Sequence, residues 1–437
     1  MKIHAPVTSL ALITKHARHT ARDWQLRFFY WEMFRKIIFV FSALIILTTS
    51  EIFSQNKPEL KLSHPLKFGA QNKYSSQPKD YIQGADSFKI VAILVQFQED
   101  SDPKSSGNGL FDLSNKYLNP STGKDTVIDS PPYDSAYFAD HLLFIKNYFS
   151  KSSKGKVNIS YDLYGTVFNL PQQMQAYSPQ RNENNSKLGT LFQNSWQLAD
   201  AVIDFSSYDT ANTAFVIFHA GVGRDVDLIS IFGFDPTPYD IPSVFLGLKN
   251  LQEFYGSNYE GYQTSEGIYI RNSLIIPSTE LRELSLSTGD FLIELGMNGI
   301  FTANFGSYLG LPDLFNTATG NTAIGRFGLM DGQSLFSYNG IFPPEPSAWE
   351  KIHLGWVEPV TINSGSKNIQ IPTSSKDIQR DSTIYKVLIS SKEYFLIENR
   401  NRDPENDGQT IYSRNRTFND VDTYTQDIEN GFYYSGG

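Results

Sequence analysis

The sequence contains no cysteine among its 437 residues, which excludes disulfides, thiolate nucleophiles and cysteine-ligated zinc. It has seven histidines, and no two of them stand four residues apart. The paired histidines of an H-E-x-x-H zinc protease are therefore absent. No G-x-S-x-G elbow and no Walker loop is present either, so a serine hydrolase or a nucleotide-binding enzyme has no support.

The charge of the chain is unevenly distributed. The formal net charge is −9, while the first 54 residues are net basic, so the remainder is strongly acidic. An acidic surface argues against nucleic acid or an anionic membrane as a partner. A hydrophobic content of 40% with 14% aromatic residues predicts a folded globular protein.

The N-terminal region resembles a secretory signal. An apolar run begins at Ile37 and ends at Leu47, directly after the basic pair Arg35-Lys36. Met33 then becomes the expected true start, and we predict a secreted or cell-envelope protein cleaved near Ser54. The run is shorter than the roughly 20 residues of a membrane span, so no stable span is expected after cleavage, although an N-terminal anchor is the alternative.

The expected organisation follows from composition and periodicity. Strands followed by a buried helix predict an α+β fold. The predicted regions are an extension and signal peptide (1–54), a linker or pro-region (55–88), a main domain (89–360) and an incomplete β-rich region (361–437). The predicted strands are 89–97, 157–167, 214–218, 369–371, 384–389 and 394–397, and the predicted helices are 137–149, 191–203 and 290–305.

One segment directs the functional interpretation. It begins at Ala303 and ends at Phe315, with Gly306 in its middle and a Leu-Gly-Leu-Pro-Asp run at 309–313. This segment resembles the H-E-F-G-H-x-L-G-L-P-D-L-Y motif of the immune-inhibitor-A-like family of secreted bacterial metallopeptidases. Further similar segments occur in the same order at 208–209, 215–223, 325–331, 347–356 and 395–400. The resemblance implies a zincin-like metalloprotease domain, and it covers the chain from about residue 89 onward.

The same resemblance implies that the catalytic zinc site is lost. Ala303 and Ser307 occupy the positions of the two zinc histidines, and Asn304 occupies that of the general-base glutamate. Alanine has no ligand atom, a serine hydroxyl is a poor zinc donor, and an amide is no base near neutral pH. We therefore expect a catalytically inactive homologue that has neither a catalytic residue nor the family's zinc ligands.

A displaced metal site is the first alternative. His219, Asp313 and Asp331 are its candidate ligands, although their spacing does not require them to converge. The competing interpretations are structural: a backbone hydrogen bond in the turn after Pro312 for Asp313, and a hydrogen bond to the neighbouring loop for His219. Met330 is expected to form an apolar floor beneath the helix that carries Ala303.

Other polar residues have weaker patterns. Glu294 and Asn298 would stand one turn apart on the predicted helix, where a buried or solvated pair is favoured over catalysis. His353 is interpreted as a packing residue. Calcium has only poor candidate loops, one at Asp209 and Asn212 and one at 403–408, because each supplies too few carboxylates at the required spacing.

Three functions therefore remain open. The favoured one is a secreted scaffold that binds peptides or proteins in the former substrate cleft. The second is an active metalloendopeptidase with displaced ligands, and the third is a surface structural protein. The chain stops in an aromatic strand-and-turn pattern at 429–437, which predicts a truncated end.

Overall fold

The computed structural model describes residues 87–180, 183–316, 320–332, 337–362, 368–374 and 383–400, and the backbone of 411–415 and 422–426. All of these residues belong to a compact unit, Leu60–Gly437. The predicted signal segment, the linker up to residue 86, the acidic turn at 403–408 and the last eleven residues lie outside the described residues; the predicted linker boundary at 88 is two residues too late, because β1 begins at Ser87. No helix in the described part of the chain is both long and apolar enough to cross a membrane.

The fold is mixed, as the sequence predicted at the level of α+β. The strands are β1 Ser87–Gln96, β2 Leu118–Asn119, β3 Lys124–Asp125, β4 Asn158–Asn169, β5 Thr213–Val222, β6 Val244–Leu246, β7 Tyr262–Gln263, β8 Tyr269–Ile270, β9 Ser273–Thr279, β10 Arg282–Leu286, β11 Gly289–Ile293, β12 Val360–Ile362, β13 Ile384–Leu388, β14 Tyr394–Glu398, β15 Ile411–Asn415 and β16 Asp422–Gln426. The helices are α1 Ser135–Ser152, α2 Ser186–Asp200, α3 Leu228–Phe232, α4 Leu248–Tyr255, α5 Asn298–Tyr308 and α6 Ala348–His353.

A five-stranded sheet with the order β4-β1-β5-β9-β6 forms the centre of the molecule. Strands β4, β1, β5 and β9 run parallel, and the short edge strand β6 pairs antiparallel with β9. The inner strands β1 and β5 are apolar along almost their whole length, because both faces of a parallel sheet are covered. Their continuous apolar runs are the reason that these strands could be predicted.

Helix α1 begins where the sequence supplies a cap. The Asp134 side chain accepts hydrogen bonds from the backbone N–H groups of Ala136 and Tyr137, which have no partner inside the helix. The helix buries Phe138, Leu142, Ile145 and Phe149 at helical spacing against the sheet. Phe149 also lies 4.9 Å from Phe305 between ring centroids, so α1 supports α5.

A second, three-stranded sheet has the order β12-β13-β14. Its register places Val360, Tyr385 and Ile397 in one row, and one face is therefore apolar. Phe395, on the same face, is 63% exposed. The opposite face is tied to α6 by the buried Lys351, whose Nζ lies 3.3 Å from Glu398 Oε2.

Two predicted elements were wrong. Residues 290–297 are not helical, because β11 occupies 289–293 and pairs with β10, and the helix begins only at Asn298. Apolarity on every face cannot distinguish a buried helix from a buried strand, and Gly289 supplies the turn (φ 136°) that starts β11. Residues 369–371 form no strand, and the third strand of the small sheet is Val360–Ile362 instead.

Candidate functional site

Helix α5 packs across β6 and β9, at the antiparallel edge of the sheet. Tyr308 makes part of this contact, with its ring centroid 6.2 Å from that of Phe245 in β6. Phe301 and Phe305 face inward and are fully buried. The helix is therefore fixed by aromatic packing on its inner side, beside a strand whose outer edge has no partner strand among the described residues.

The three positions that the sequence analysis compared with a zinc motif, 303, 304 and 307, all lie on α5. Ala303 and Ser307 are one turn apart, so they share a face of the helix. Ala303 is 7% exposed, whereas Asn304 and Ser307 are only half-buried. The Asn304 amide donates to the Ile300 carbonyl at 3.0 Å, and this leaves its Oδ1 without a partner in the described part of the chain.

The turn that carries Met330 lies directly beneath this helix. A Cβ added to Gly306 would lie 2.9 Å from Met330 Sδ, so a larger residue at this position would require the Met330 side chain to move. The buried Glu350 carboxylate holds the turn by accepting from the backbone N–H groups of Leu329 (3.2 Å) and Met330 (2.9 Å). The predicted apolar floor is confirmed at Met330, which is 3% exposed.

Asp313 follows α5 on the turn that reaches Met330, because the Leu314 N–H donates to the Met330 carbonyl at 2.8 Å. The hydrogen bond that we expected between the Asp313 carboxylate and the turn backbone is not formed within the described residues. Burial in apolar surroundings raises the pKa of Asp313 to about 6. This half-buried carboxylate therefore has a raised pKa and no partner in the described structure.

His219 is a fully buried residue of β5. Its Nδ1 donates to the Ala220 carbonyl at 2.9 Å, which fixes the tautomer and confirms a structural hydrogen bond. Nε2 has no hydrogen-bond partner in the described structure. Burial lowers the pKa of His219 to about 4, so the ring is neutral near pH 7.

The Asp331 carboxylate binds the backbone of a turn. Its Oδ2 accepts from three consecutive backbone N–H groups, those of Ala323, Ile324 and Gly325, at 2.8 to 3.2 Å. It is fully buried and closes the turn that precedes Met330. Within the described residues no three His, Asp or Glu side chains form a group that could hold a metal, so the structure does not unite His219, Asp313 and Asp331.

The remaining predicted polar residues are structural. Glu294 precedes α5 and accepts from the Ile128 N–H at 3.1 Å, whereas Asn298 contacts His141 Nδ1 at 2.8 Å, so the two are not a pair on one helix. His353 stacks on Trp349 with centroids 4.7 Å apart, as expected for packing. Asp209 accepts from the Ala211 N–H and the Asn212 amide, which is a closed turn rather than a calcium loop.

A second polar cluster, which the sequence analysis did not select, lies where β5 and β9 end. It contains Asp225 and Asp240 from the segment between β5 and β6, and Glu280 and Arg282 from the junction of β9 and β10, all less than 10% exposed. Arg282 Nη1 donates to Asp240 Oδ2 at 2.6 Å. The Glu-Leu-Arg triplet directly after an apolar strand was the available signal, because charged residues there end at the carboxyl edge of a parallel sheet.

Comparison with known proteins adds no relative: no protein-family model matches the chain, and no curated protein matches its sequence.

Proposed function

We propose that this chain is a zincin-like scaffold of the immune-inhibitor-A type that is exported, has lost its catalytic zinc site, and binds extended peptide segments between α5 and the edge strand β6. The observation that carries the proposal is an antiparallel edge strand, with no further partner strand in the described part of the chain, beside a helix that carries Asn304 and Ser307. An extended peptide can add to such an edge through main-chain hydrogen bonds.

The chemistry of α5 supports binding rather than hydrolysis. Asn304 Oδ1 and the Ser307 hydroxyl are half-buried and have no partner in the described structure, so both are available to hydrogen-bond a ligand. Neither group can deprotonate water near neutral pH. Gly306 above Met330 keeps the helix in close contact with its floor even though the motif residues differ.

The similarity in layout is the basis for the zincin-like assignment. In one class of zinc protease the motif H-E-x-x-H-x-x-G-x-x-H is followed by a methionine turn. In this chain Gly310 and Asp313 stand at the positions of the last glycine and the third ligand, and Met330 lies beneath the helix. A single carboxylate is too few ligands for zinc.

Selection from a random peptide library on the purified chain tests the binding function. We expect extended peptides that bind saturably and that protect the amides of β6 from hydrogen exchange. Ser307→Phe should fill the cleft and weaken a selected peptide at least about tenfold, which corresponds to about 1.4 kcal/mol. Ser114→Phe, at an exposed position, is the matched control.

Two outcomes would overturn the proposal. One is a set of selected peptides whose affinity does not change in Ser307→Phe. The other is hydrolysis of casein or gelatin by the purified chain that a chelator abolishes, since this would require a metal site that Ala303 and Asn304 do not supply.

A further inference from the structure

Two carboxyl groups face each other at the end of the central sheet. Glu280 follows β9 and is 1% exposed, and Asp225 follows β5 and is 9% exposed. Both lie over the backbone of Gly223. A Cβ placed on that glycine would be 1.7 Å from Glu280 Oε1 and 2.8 Å from Asp225 Oδ2, so the two carboxyl groups are close neighbours.

The hydrogen bonds of the two groups are unequal. Asp225 accepts from the backbone N–H of Ser243 at 3.0 Å and from the Ser243 hydroxyl at 2.8 Å. Neither oxygen of Glu280 receives an N–H or hydroxyl donor in the described structure. The polar group beside it is the Asp225 carboxyl, and a hydrogen bond between two carboxyl groups needs a proton, since an ionised carboxylate has nothing to donate.

The neighbouring positive charges can compensate only one negative charge on the pair formed by Asp225 and Glu280. The Arg282 guanidinium donates to Asp240, to Thr237 Oγ1 and to the Gly223 carbonyl, and its charge also acts on Glu280. The charge of Arg224 acts on Asp225. The two arginines thus balance Asp240 and one carboxylate, and a second ionised carboxyl would be an uncompensated buried charge.

We propose that Asp225 and Glu280 share one proton, and that this proton holds the segment 223–243, and with it β6, on the end of the sheet. Burial first, and then the neighbouring Asp225 charge, raise the pKa of Glu280 well above its usual range. Tyr137 of α1 also faces Glu280, and burial raises the pKa of its hydroxyl well above 10, so it remains neutral.

The link to β6 is direct. Ser243, which Asp225 holds by two hydrogen bonds, immediately precedes Val244, the first residue of β6. Loss of the shared proton places two negative charges side by side and weakens the attachment of the β5–β6 segment to the β9–β10 junction, which then depends on the bonds of Arg282 to Asp240 and to the Gly223 carbonyl. The fraction of molecules in which this segment and β6 are open therefore increases as pH rises.

The sign follows from proton linkage. In the opened segment Glu280 regains its ordinary pKa, whereas in the closed one the pKa is raised. Opening therefore releases a proton at any pH between those two values, and the opening equilibrium increases about tenfold per pH unit there. Below the ordinary pKa the contribution to stability is complete, and above the raised pKa it is lost.

Hydrogen exchange of the whole chain tests this inference. Protection factors for 223–246, corrected for the intrinsic pH dependence of exchange, should fall about tenfold per pH unit in the wild type, while those of β1 stay constant. Glu280→Gln should remove the dependence, because its amide donates to Asp225 at every pH. Glu283→Gln, at an exposed carboxylate on β10, is the matched control and should keep it.

An independent measurement does not require the variant to fold. Infrared spectroscopy of the wild type at neutral pH should show the carbonyl stretch of a protonated buried carboxyl. The inference is overturned if every carboxyl is ionised at that pH, or if Glu280→Gln folds and retains the wild-type pH slope. Neither result depends on peptide binding, so the two proposals fail separately.

Discussion

The helix α5 and the cluster at the ends of β5 and β9 treat polar side chains in opposite ways. On α5 the polar positions 304 and 307 and the nearby Asp313 are half-buried and have spare hydrogen-bonding capacity. In the cluster Asp240 and Arg282 are 0% and 1% exposed and are bonded to each other. The comparison separates groups that are free to meet a ligand from groups on which the fold itself depends.

Crowding a glycine in the cluster should have the largest effect. Gly223→Ala places a methyl group 1.7 Å from Glu280 Oε1 and 2.8 Å from Asp225 Oδ2, between two buried carboxyl groups. We expect the free energy of unfolding to fall by about 3 kcal/mol, measured by chemical denaturation. Gly247→Ala, whose new methyl would have only ordinary contacts at 3.5 Å or more, is the control. Equal losses of stability in Gly223→Ala and Gly247→Ala would contradict the claim that the cluster is unusually sensitive to crowding.

Acid should weaken the core through His219. Its pKa of about 4 in the folded state lies below the usual 6.5, so the unfolded chain binds the extra proton between these values. The free energy of unfolding should therefore decrease as pH falls from 6.5 towards 4, by at most about 3 kcal/mol. His219→Gln should reduce this dependence of the free energy of unfolding on pH, which denaturation curves measured across that pH range would show. An unchanged pH dependence in His219→Gln would show that another group causes the loss of stability in acid.

Crowding the glycine of α5 should cost less. In Gly306→Ala the new methyl meets Met330 Sδ at 2.9 Å, and the end of a methionine can move. Alanine also gains about 1 kcal/mol of helix propensity, which offsets part of the overpacking. We expect a net loss of about 1 kcal/mol by denaturation. A loss as large as that of Gly223→Ala would make α5 as intolerant as the cluster.

The smallest effect is expected at Asp313. Its pKa of about 6 lies above the usual 3.8, so its contribution to stability is complete below 3.8 and is lost as pH rises through 6. Asp313→Asn should thus increase the free energy of unfolding at pH 7 by less than about 1 kcal/mol and leave the free energy of unfolding at pH 3 unchanged. Thermal unfolding at both pH values measures this, and NMR titration of the Asp313 carboxyl should give a midpoint near 6. Destabilisation at pH 7 would reveal a partner for the carboxylate.

Local sequence patterns predicted only part of this structure. The apolar runs of β1 and β5 were sufficient to predict those strands, and the helical spacing of apolar residues was sufficient to predict α1. Each pattern reports which residues within one short segment are buried. The same signal failed at 290–297, where burial on all sides fits strand and helix equally. Positions 303 and 307 could be placed on one helix face because their spacing is local. The contact of Asp225 with Glu280 was missed, because two separate strands bring these residues together and the charged triplet at 280–282 marks only one side of the contact.

The strand order has a consequence for synthesis. β1 lies near the centre of the sheet, yet its neighbours β4 and β5, and then β9, come much later in the chain. During translation both edges of β1 remain unpaired until β4 and β5 have been synthesised. Unpaired strand edges promote aggregation. Non-local parallel pairing also closes large loops, which slows folding. We therefore expect productive folding to depend on protecting this first strand until the rest of the sheet is available.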